Sequence, residues 1–329
     1  GAGAAVWKNP VGKGKHCMSK TPLVAVVGPT ASGKTAFAVK IAQQFQGEVI
    51  SMDSMQIYRG MQIGTAAPTE EEMQGIPHHM LNMVDIRENF SVNDYVTLAK
   101  PLIEEIVSRG KLPILCGGTG LYFNSLIYGY NMTKAETDPA IKEELYAYVQ
   151  QYGIQALFER LKQCDPVSAE QIHPNNVKRV VRALEVYEMT GVPKSQQTEA
   201  QGTPVYRLAA FGMDWPRETL YQRIDCRVEQ MLSDGLEQEV RNLVSAGKLE
   251  LQDDQCQAAA AIGYREMLDY LAGKTSYEET VALIKQNTRR YAKRQLTWFR
   301  KIKDITWLNP LDGSAEKAAL QKIKQMLEI

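Results

Sequence analysis

The chain has no apolar run approaching the roughly 18 to 20 residues that cross a bilayer, so its 44% hydrophobic content belongs to a core. It also lacks net charge. The 38 basic and 38 acidic side chains cancel, and the molecule as a whole is not a simple polycation. Cysteine is sparse and unpatterned: Cys17, Cys116, Cys164, Cys226 and Cys256 form no CxxC pair and keep no regular spacing. That argues against a disulfide framework and a cysteine zinc site, and makes a reducing cytosol the expected compartment. The opening residues GAGAAVWKNPVGKGKHC contain no apolar h-region and do not read as a secretory signal. Residues 1–19 are expected to be a disordered leader, with Met18 a candidate natural start and a weak organelle address the alternative. No internal repeat is present. His78 and His79 are adjacent, with no third ligand at a chelating offset, and a structural role is expected for them.

What is present centres on eight residues, GPTASGKT: Gly28, Pro29, Thr30, Ala31, Ser32, Gly33, Lys34 and Thr35. They fit GxxxxGK[ST] and follow an unbroken apolar run, Leu23 to Val27, as long as one buried strand. Strand, glycine turn and helix start together make a phosphate cradle. Gly28 and Gly33 permit backbone conformations that turn successive N–H groups inward, next to the positive end of the following helix. Lys34 adds a mobile charge, and the Thr35 hydroxyl is a ligand for a Mg2+ shared with the phosphates. An ordinary glycine turn is the competing reading. The motif speaks for phosphate and leaves the reaction open.

Downstream, Glu48 to Ser51 reads as a strand that delivers Asp53 to its carboxyl end, the edge where ligands gather in open parallel sheets. Asp53 therefore faces the phosphate site, caps a helix, or supports Mg2+ from the second sphere. Ser91 starts a helix to Arg109 with Asp94 in a capping box. Pro113 to Cys116 is another strand, and GGTGLY after it repeats the strand, glycine and helix arrangement, with the Thr119 hydroxyl at the same sheet edge. From about Tyr130 to Pro204 only helices are expected: one starting at Asp138 and Pro139, one from Ile154 to Gln163, and one from Asn175 to Thr190. Lys194 to Pro204 reads as a flexible hinge or lid edge. The sheet resumes at Tyr206 to Met213 and ends at Ile305 to Leu308. The fold class is α/β, a P-loop core with a parallel sheet flanked by helices over 20–129 and 205–329, carrying a helical insertion over 130–204.

Basic residues concentrate late. Eight lie between Lys285 and Lys303 with no acidic residue, on a helix whose buried side is expected to be Ile284, Tyr291, Trp298 and Ile302. Arg289, Lys293 and Arg300 fall near one line opposite. That suits a nucleic-acid backbone, with a solvated face as the alternative. Arg223 and Arg227 sit four apart on one helix face, and AIGYRE starts a helix with Tyr264 and Arg265 expected to be exposed.

Taken together, GPTASGKT, DSMQIYRGM, GIPHH, FSVNDY, GGTGLY, KRVVRALEVYEMTG, AIGYRE and RRYAKRQLTWFR resemble, in order and over roughly Pro22 to Leu308, the tRNA dimethylallyltransferase family. The resemblance implies dimethylallyl diphosphate as donor, with N6 of the adenosine immediately 3′ of the anticodon as acceptor, and Mg2+ as cofactor. It implies a cytoplasmic monomer that needs no protein partner and no membrane. It puts the diphosphate on Thr30 to Thr35 and Arg223, makes Asp53 the base, and sets Thr119, Lys34 and Arg227 beside the reacting atoms. RNA contacts are implied at Ser54, Met55, Gln56, Lys142, Lys178, Arg179, Val180, Val181, Arg182, Gly263, Tyr264 and Arg265, and the basic helix adds Arg289 and Lys293. The usual GTAKP reads GTAAP here, so Ala67 replaces a lysine. No Cys/His zinc finger is found near the end of the sequence, which favours the bacterial type. A small-molecule P-loop kinase, an adenylate isopentenyltransferase and an RNA-binding nucleotide switch are the rival readings.

Overall fold

In PLVAVV every side chain is apolar, and a strand of that kind is stable only when both faces are covered. This segment, β1 (Pro22–Val27), is buried along its whole length at the centre of a six-stranded sheet. The computed structural model describes residues 20–129, 139–191, 193–197, 202–252 and 256–329. The expected leader, Tyr130 and the Asp138 cap fall outside them.

After β1 come α1 (Lys34–Phe45), β2 (Gly47–Ser51), α2 (Glu70–Met73) and β3 (His78–His79). Then follow α3 (Val92–Ser108), β4 (Leu112–Gly117) and α4 (Gly120–Ile127). The helical stretch holds α5 (Pro139–Cys164), α6 (Pro166–Gln171), α7 (Val177–Thr190) and α8 (Lys194–Gln197). The chain finishes with β5 (Arg207–Met213), α9 (Arg217–Ser233), α10 (Leu236–Ser245), α11 (Tyr264–Leu271), α12 (Tyr277–Phe299), β6 (Ile305–Leu308) and α13 (Gly313–Leu327). Strand order is β3-β2-β4-β1-β5-β6, and every pairing is parallel. The α/β fold expected from the sequence is thus the fold observed. β1 lies between β4 and β5, with Val27 level with Gly117 and Gly212, so three strand ends open onto one edge. One core layer on this sheet joins Phe37, Ile41 and Phe45 of α1 to Phe211 of β5 and Ile323 of α13.

Two compact units result, one running to Ile127 and resuming over Pro204–Ile329, the other Tyr128–Thr203. In the first, the expected box at Ser91 is formed: Asp94 N donates to Ser91 Oγ and Ser91 N to the Asp94 carboxylate. His79 pairs with Glu48 at 2.7 Å and His78 Nδ1 lies 2.8 Å from the Ile76 carbonyl, so both histidines are structural, as expected. Asp225 binds Arg289 while Glu229 binds Lys285, which aligns α9 and α12 antiparallel. In the second unit α5 is broken at Gly153 (φ 82), separating the two expected helices. Its core joins Leu145, Leu157, Leu161, Val180 and Leu184. Fully buried Asp165 accepts from the backbone N–H of Ser168 and Ser195, each at 3.0 Å. Part of the expected hinge, Lys194–Gln197, is helical; residues 198–201 lie outside the described set.

Two expectations about exposure are corrected. Trp298 is 42% exposed and does not belong to the buried side of α12, which Phe299 occupies in its place. Tyr264 is fully buried, because Gly64 leaves room for its ring: a Cβ at Gly64 would lie 2.3 Å from it.

Candidate active site

The phosphate loop is shaped by backbone that most residues resist. Gly33 caps α1 at φ 84, Ala31 sits at φ 64, and a Cβ on Gly28 would stand 2.8 Å from Ser32 Oγ. Its carbonyls are tied off one by one. Lys34 Nζ donates to Pro29 O at 3.1 Å, Arg223 Nε to Ala31 O at 2.7 Å, and Trp215 Nε1 to Ser32 O at 2.7 Å. The Arg223 guanidinium lies 4.3 Å over the Trp215 ring, which fixes it further. Fixing the carbonyls fixes the peptide planes, and so the directions of the N–H groups that receive an anion.

Asp53 stands at the next strand end but one. Met52 N donates to Cys116 O at 2.8 Å, and β4 comes so near that a Cβ on Gly117 would meet Met52 O at 2.1 Å. Both readings of Asp53 hold at once. Its Oδ1 accepts from Met55 N (2.8 Å) and Gln56 N (3.1 Å), capping the turn, while Oδ2 has no hydrogen bond among the described residues. Thr119 Oγ1 accepts from Ser54 N at 3.1 Å, and Thr119 N donates to Met52 O. Beneath lie Tyr95 and Tyr122, stacked at 4.2 Å, with the Tyr95 hydroxyl on Ser51 O.

Two cavities meet here. One, of about 640 Å3, is lined by Ala31, Gly33, Lys34, Thr35 and Arg223. The other, of about 300 Å3, is lined by Asp53, Ser54, Met55, Tyr291 and Arg294, with an apolar wall of Ile224, Val228, Met231 and Ile284. Thr30, Ala66 and Arg227 border both. A phosphate compartment thus adjoins a half-apolar one holding a carboxylate. Volumes of this order suit small ligands.

Sequence reasoning missed Glu239, which α10 supplies. Its carboxylate accepts from Ile63 N (2.9 Å), Gly64 N (3.2 Å) and the Tyr264 hydroxyl, and so pins the Gly64 to Ala66 wall of the smaller cavity. Gln56 Nε2 holds the same wall from the other side through Thr65 O at 3.2 Å. Nothing local in DGLEQEV marks Glu239, since its partners are 175 and more residues away except Tyr264.

Burial lowers the Lys34 ammonium from its ordinary range, against the raising influence of Cys116 and Asp53. Burial also pushes the Cys116 thiol up to about 11, so it stays protonated. For Mg2+ the chain provides Thr35 on the first turn of α1, and no cluster of three His, Cys, Asp or Glu occurs among the described residues. That donor set fits a Mg2+ that arrives on phosphate oxygens and keeps its waters.

The remaining expected contacts divide by burial. In the helical unit Lys142, Lys178 and Arg179 are exposed, while Arg182 is half-buried and pairs with Glu185. Val180 and Val181 are core side chains at 0% and 1% exposure, so the expectation that they meet RNA is corrected: neither side chain is open to a ligand. In the other unit Gly263 is buried and Arg265 exposed; Tyr264 faces Glu239, so its hydroxyl is not offered to a ligand. Arg289 is held by both oxygens of Asp225, at 2.7 and 2.8 Å, whereas Lys293 is exposed.

Sheet order, cradle and adjoining cavities define an α/β protein with a P-loop-like core. The chain belongs to the IPP transferase family, whose model matches residues 56–302, and it is accordingly a prenyltransferase. It is 48% identical over 304 residues to a tRNA dimethylallyltransferase of Halalkalibacterium halodurans, covering 92% of this chain and 95% of that protein. The crystal structure of a full-length tRNA isopentenylpyrophosphate transferase from Bacillus halodurans superposes with TM-score 0.70 at 46% identity, covering 94% and 97%. A eukaryotic dimethylallyltransferase acting on tRNA superposes with TM-score 0.77 at 32% identity, covering 91% of this chain and 78% of the other. The family match begins after the cradle and Asp53, whose assignment rests on the geometry above.

Proposed function

We propose that the protein transfers a dimethylallyl group from dimethylallyl diphosphate to N6 of the adenosine immediately 3′ of the anticodon in tRNA, in the cytoplasm and without an obligate protein partner. One observation carries this reading. The cradle and the Asp53 compartment are separate but share Thr30, Ala66 and Arg227, the arrangement a reaction needs when a phosphate leaves from one side of a carbon and a nucleophile arrives from the other.

The loop N–H groups, Lys34, Arg223 and Arg227 bind the diphosphate and stabilise the charge that grows on it as the allylic C–O bond breaks. When bound at Thr35, Mg2+ would supply further neutralisation of that charge. An adenine amino group is a weak nucleophile because its lone pair is delocalised into the ring. Asp53 Oδ2, without a protein partner among the described residues, holds the amino group in line and accepts its proton as the new C–N bond forms. Thr119 sets the Ser54 backbone next to it. The wall of Ile224, Val228, Met231 and Ile284 suits a five-carbon chain and an unstacked base. Lys142, Lys178, Arg179, Arg265 and Lys293 offer charge to the RNA backbone.

The test is mass spectrometry of nucleosides from an anticodon stem-loop incubated with enzyme, Mg2+ and dimethylallyl diphosphate. N6-isopentenyladenosine at the position 3′ of the anticodon is expected. Prenylation of free AMP, ADP or ATP in preference to the stem-loop, or γ-phosphate transfer from ATP without prenylation, would overturn the reading.

A further inference from the structure

Tyr291 borders the Asp53 compartment from α12 and is used by nothing above. Thr119 and Gln295 are polar side chains beside its hydroxyl. Thr119 Oγ1 accepts from Ser54 N at 3.1 Å and keeps its own proton and a second lone pair. Gln295 Nε2 donates to Gly118 O at 2.9 Å. Gln295 Oε1 is buried with no partner, so the tyrosine proton is not spent there. Among the described residues no hydrogen bond takes up the Tyr291 proton, and the side chain lines the cavity, so its O–H is available there. Burial pushes this hydroxyl up to about 12, helped by the nearby charge of Asp53, so it keeps its proton at neutral pH.

A carboxylate oxygen that accepts and a phenol that donates thus face one compartment. From these two groups we infer that Tyr291 is a specificity-determining residue that donates a hydrogen bond to a ring nitrogen flanking the purine amino group held by Asp53. Adenine presents an amino donor beside an acceptor nitrogen on each of its two polar edges, N1 on one and N7 on the other. The pair Asp53 and Tyr291 is complementary to either. Guanine offers O6 and a protonated N1, the reverse order on the first of those edges, and would set acceptor against acceptor and donor against donor. Tyr291 would then select the base while Asp53 performs the proton transfer. The inference rests on the prenyl-transfer reading, and its experiment separates the two.

The substrates are anticodon stem-loops carrying adenosine, 1-deazaadenosine, 7-deazaadenosine or 3-deazaadenosine at the target position, used with the wild-type enzyme and with Tyr291→Phe. Phenylalanine keeps the ring and removes only the hydroxyl, and the variant's melting midpoint checks that it folds. With adenosine, Tyr291→Phe is expected to lower kcat/KM about 10-fold, with KM for dimethylallyl diphosphate unchanged. One of the 1-deaza and 7-deaza substrates, the one lacking the contacted nitrogen, should lose a similar factor with wild type and nothing further with Tyr291→Phe. The 3-deaza substrate, altered on the remote edge, should respond to the mutation as adenosine does. Equal losses for Tyr291→Phe on all four substrates would assign Tyr291 a purely structural role and overturn the inference. So would an unchanged kcat/KM. No prenylation of adenosine by the wild type would instead fault the functional reading beneath it.

Discussion

Lys34 Nζ lies 3.1 Å from the carbonyl oxygen of Pro29, so the lysine of the cradle folds back over its own loop and is half-buried. Burial holds its pKa below the ordinary 10.5, which means the charged form is disfavoured in the free enzyme. A bound diphosphate reverses that preference. Donor binding therefore takes up a proton wherever free Lys34 has lost one, and KM for the donor should rise as pH climbs through the depressed value, before 10.5 is reached. Initial rates from pH 7 to 10 measure this. Lys34→Ala should raise KM at every pH and flatten the profile.

Asp53→Asn keeps an oxygen to accept from Met55 N and Gln56 N while removing the base. Turnover should fall roughly 100-fold to 10,000-fold, the usual consequence of losing a general base, with stem-loop binding nearly intact. Single-turnover rates and a filter-binding isotherm on the same preparation decide it. Full activity would remove Asp53 from the chemistry.

Arg227 borders both cavities and is held at 3.6 Å from Glu72, close enough to stay oriented and loose enough to turn to a ligand. Arg227→Ala should raise KM for dimethylallyl diphosphate by about 10-fold to 100-fold, the range for a charge-assisted hydrogen bond. An effect confined to tRNA affinity would contradict its place at the diphosphate.

Glu48 of β2 ties the end of α3 to the sheet through Arg109, which holds its carboxyl below the ordinary value of 4.5 against the opposing effect of burial, with His79 adding to the depression. A depressed folded-state value stabilises the protein above pH 4.5, and that stability is lost as pH falls through the folded value. Glu48→Gln should cost about 2 kcal/mol at pH 7, less than a fully buried pair because Arg109 is partly exposed. Thermal melts should converge for variant and wild type at acid pH; a constant gap down to pH 3 would refute the linkage.

By itself the sequence determined everything that depends on near neighbours. GPTASGKT after an apolar run fixed the cradle, and Ser91 with Asp94 fixed the start of α3, because strand, turn and cap chemistry act over a few residues. The parallel α/β class followed from the alternation of such segments, and the motif set pointed to the family to which the chain belongs. Tertiary structure alone decided what faces what. Tyr264 is buried because Gly64, 200 residues earlier, makes space for its ring and Glu239 accepts the hydrogen bond of its hydroxyl. Arg289 is spent on Asp225 of a neighbouring helix, and Tyr291 reaches the Asp53 cavity because α12 packs antiparallel to α9. Periodicity assigns a residue to a side of its own helix, whereas its partners are set by chain returning from far away, and no local pattern encodes that return.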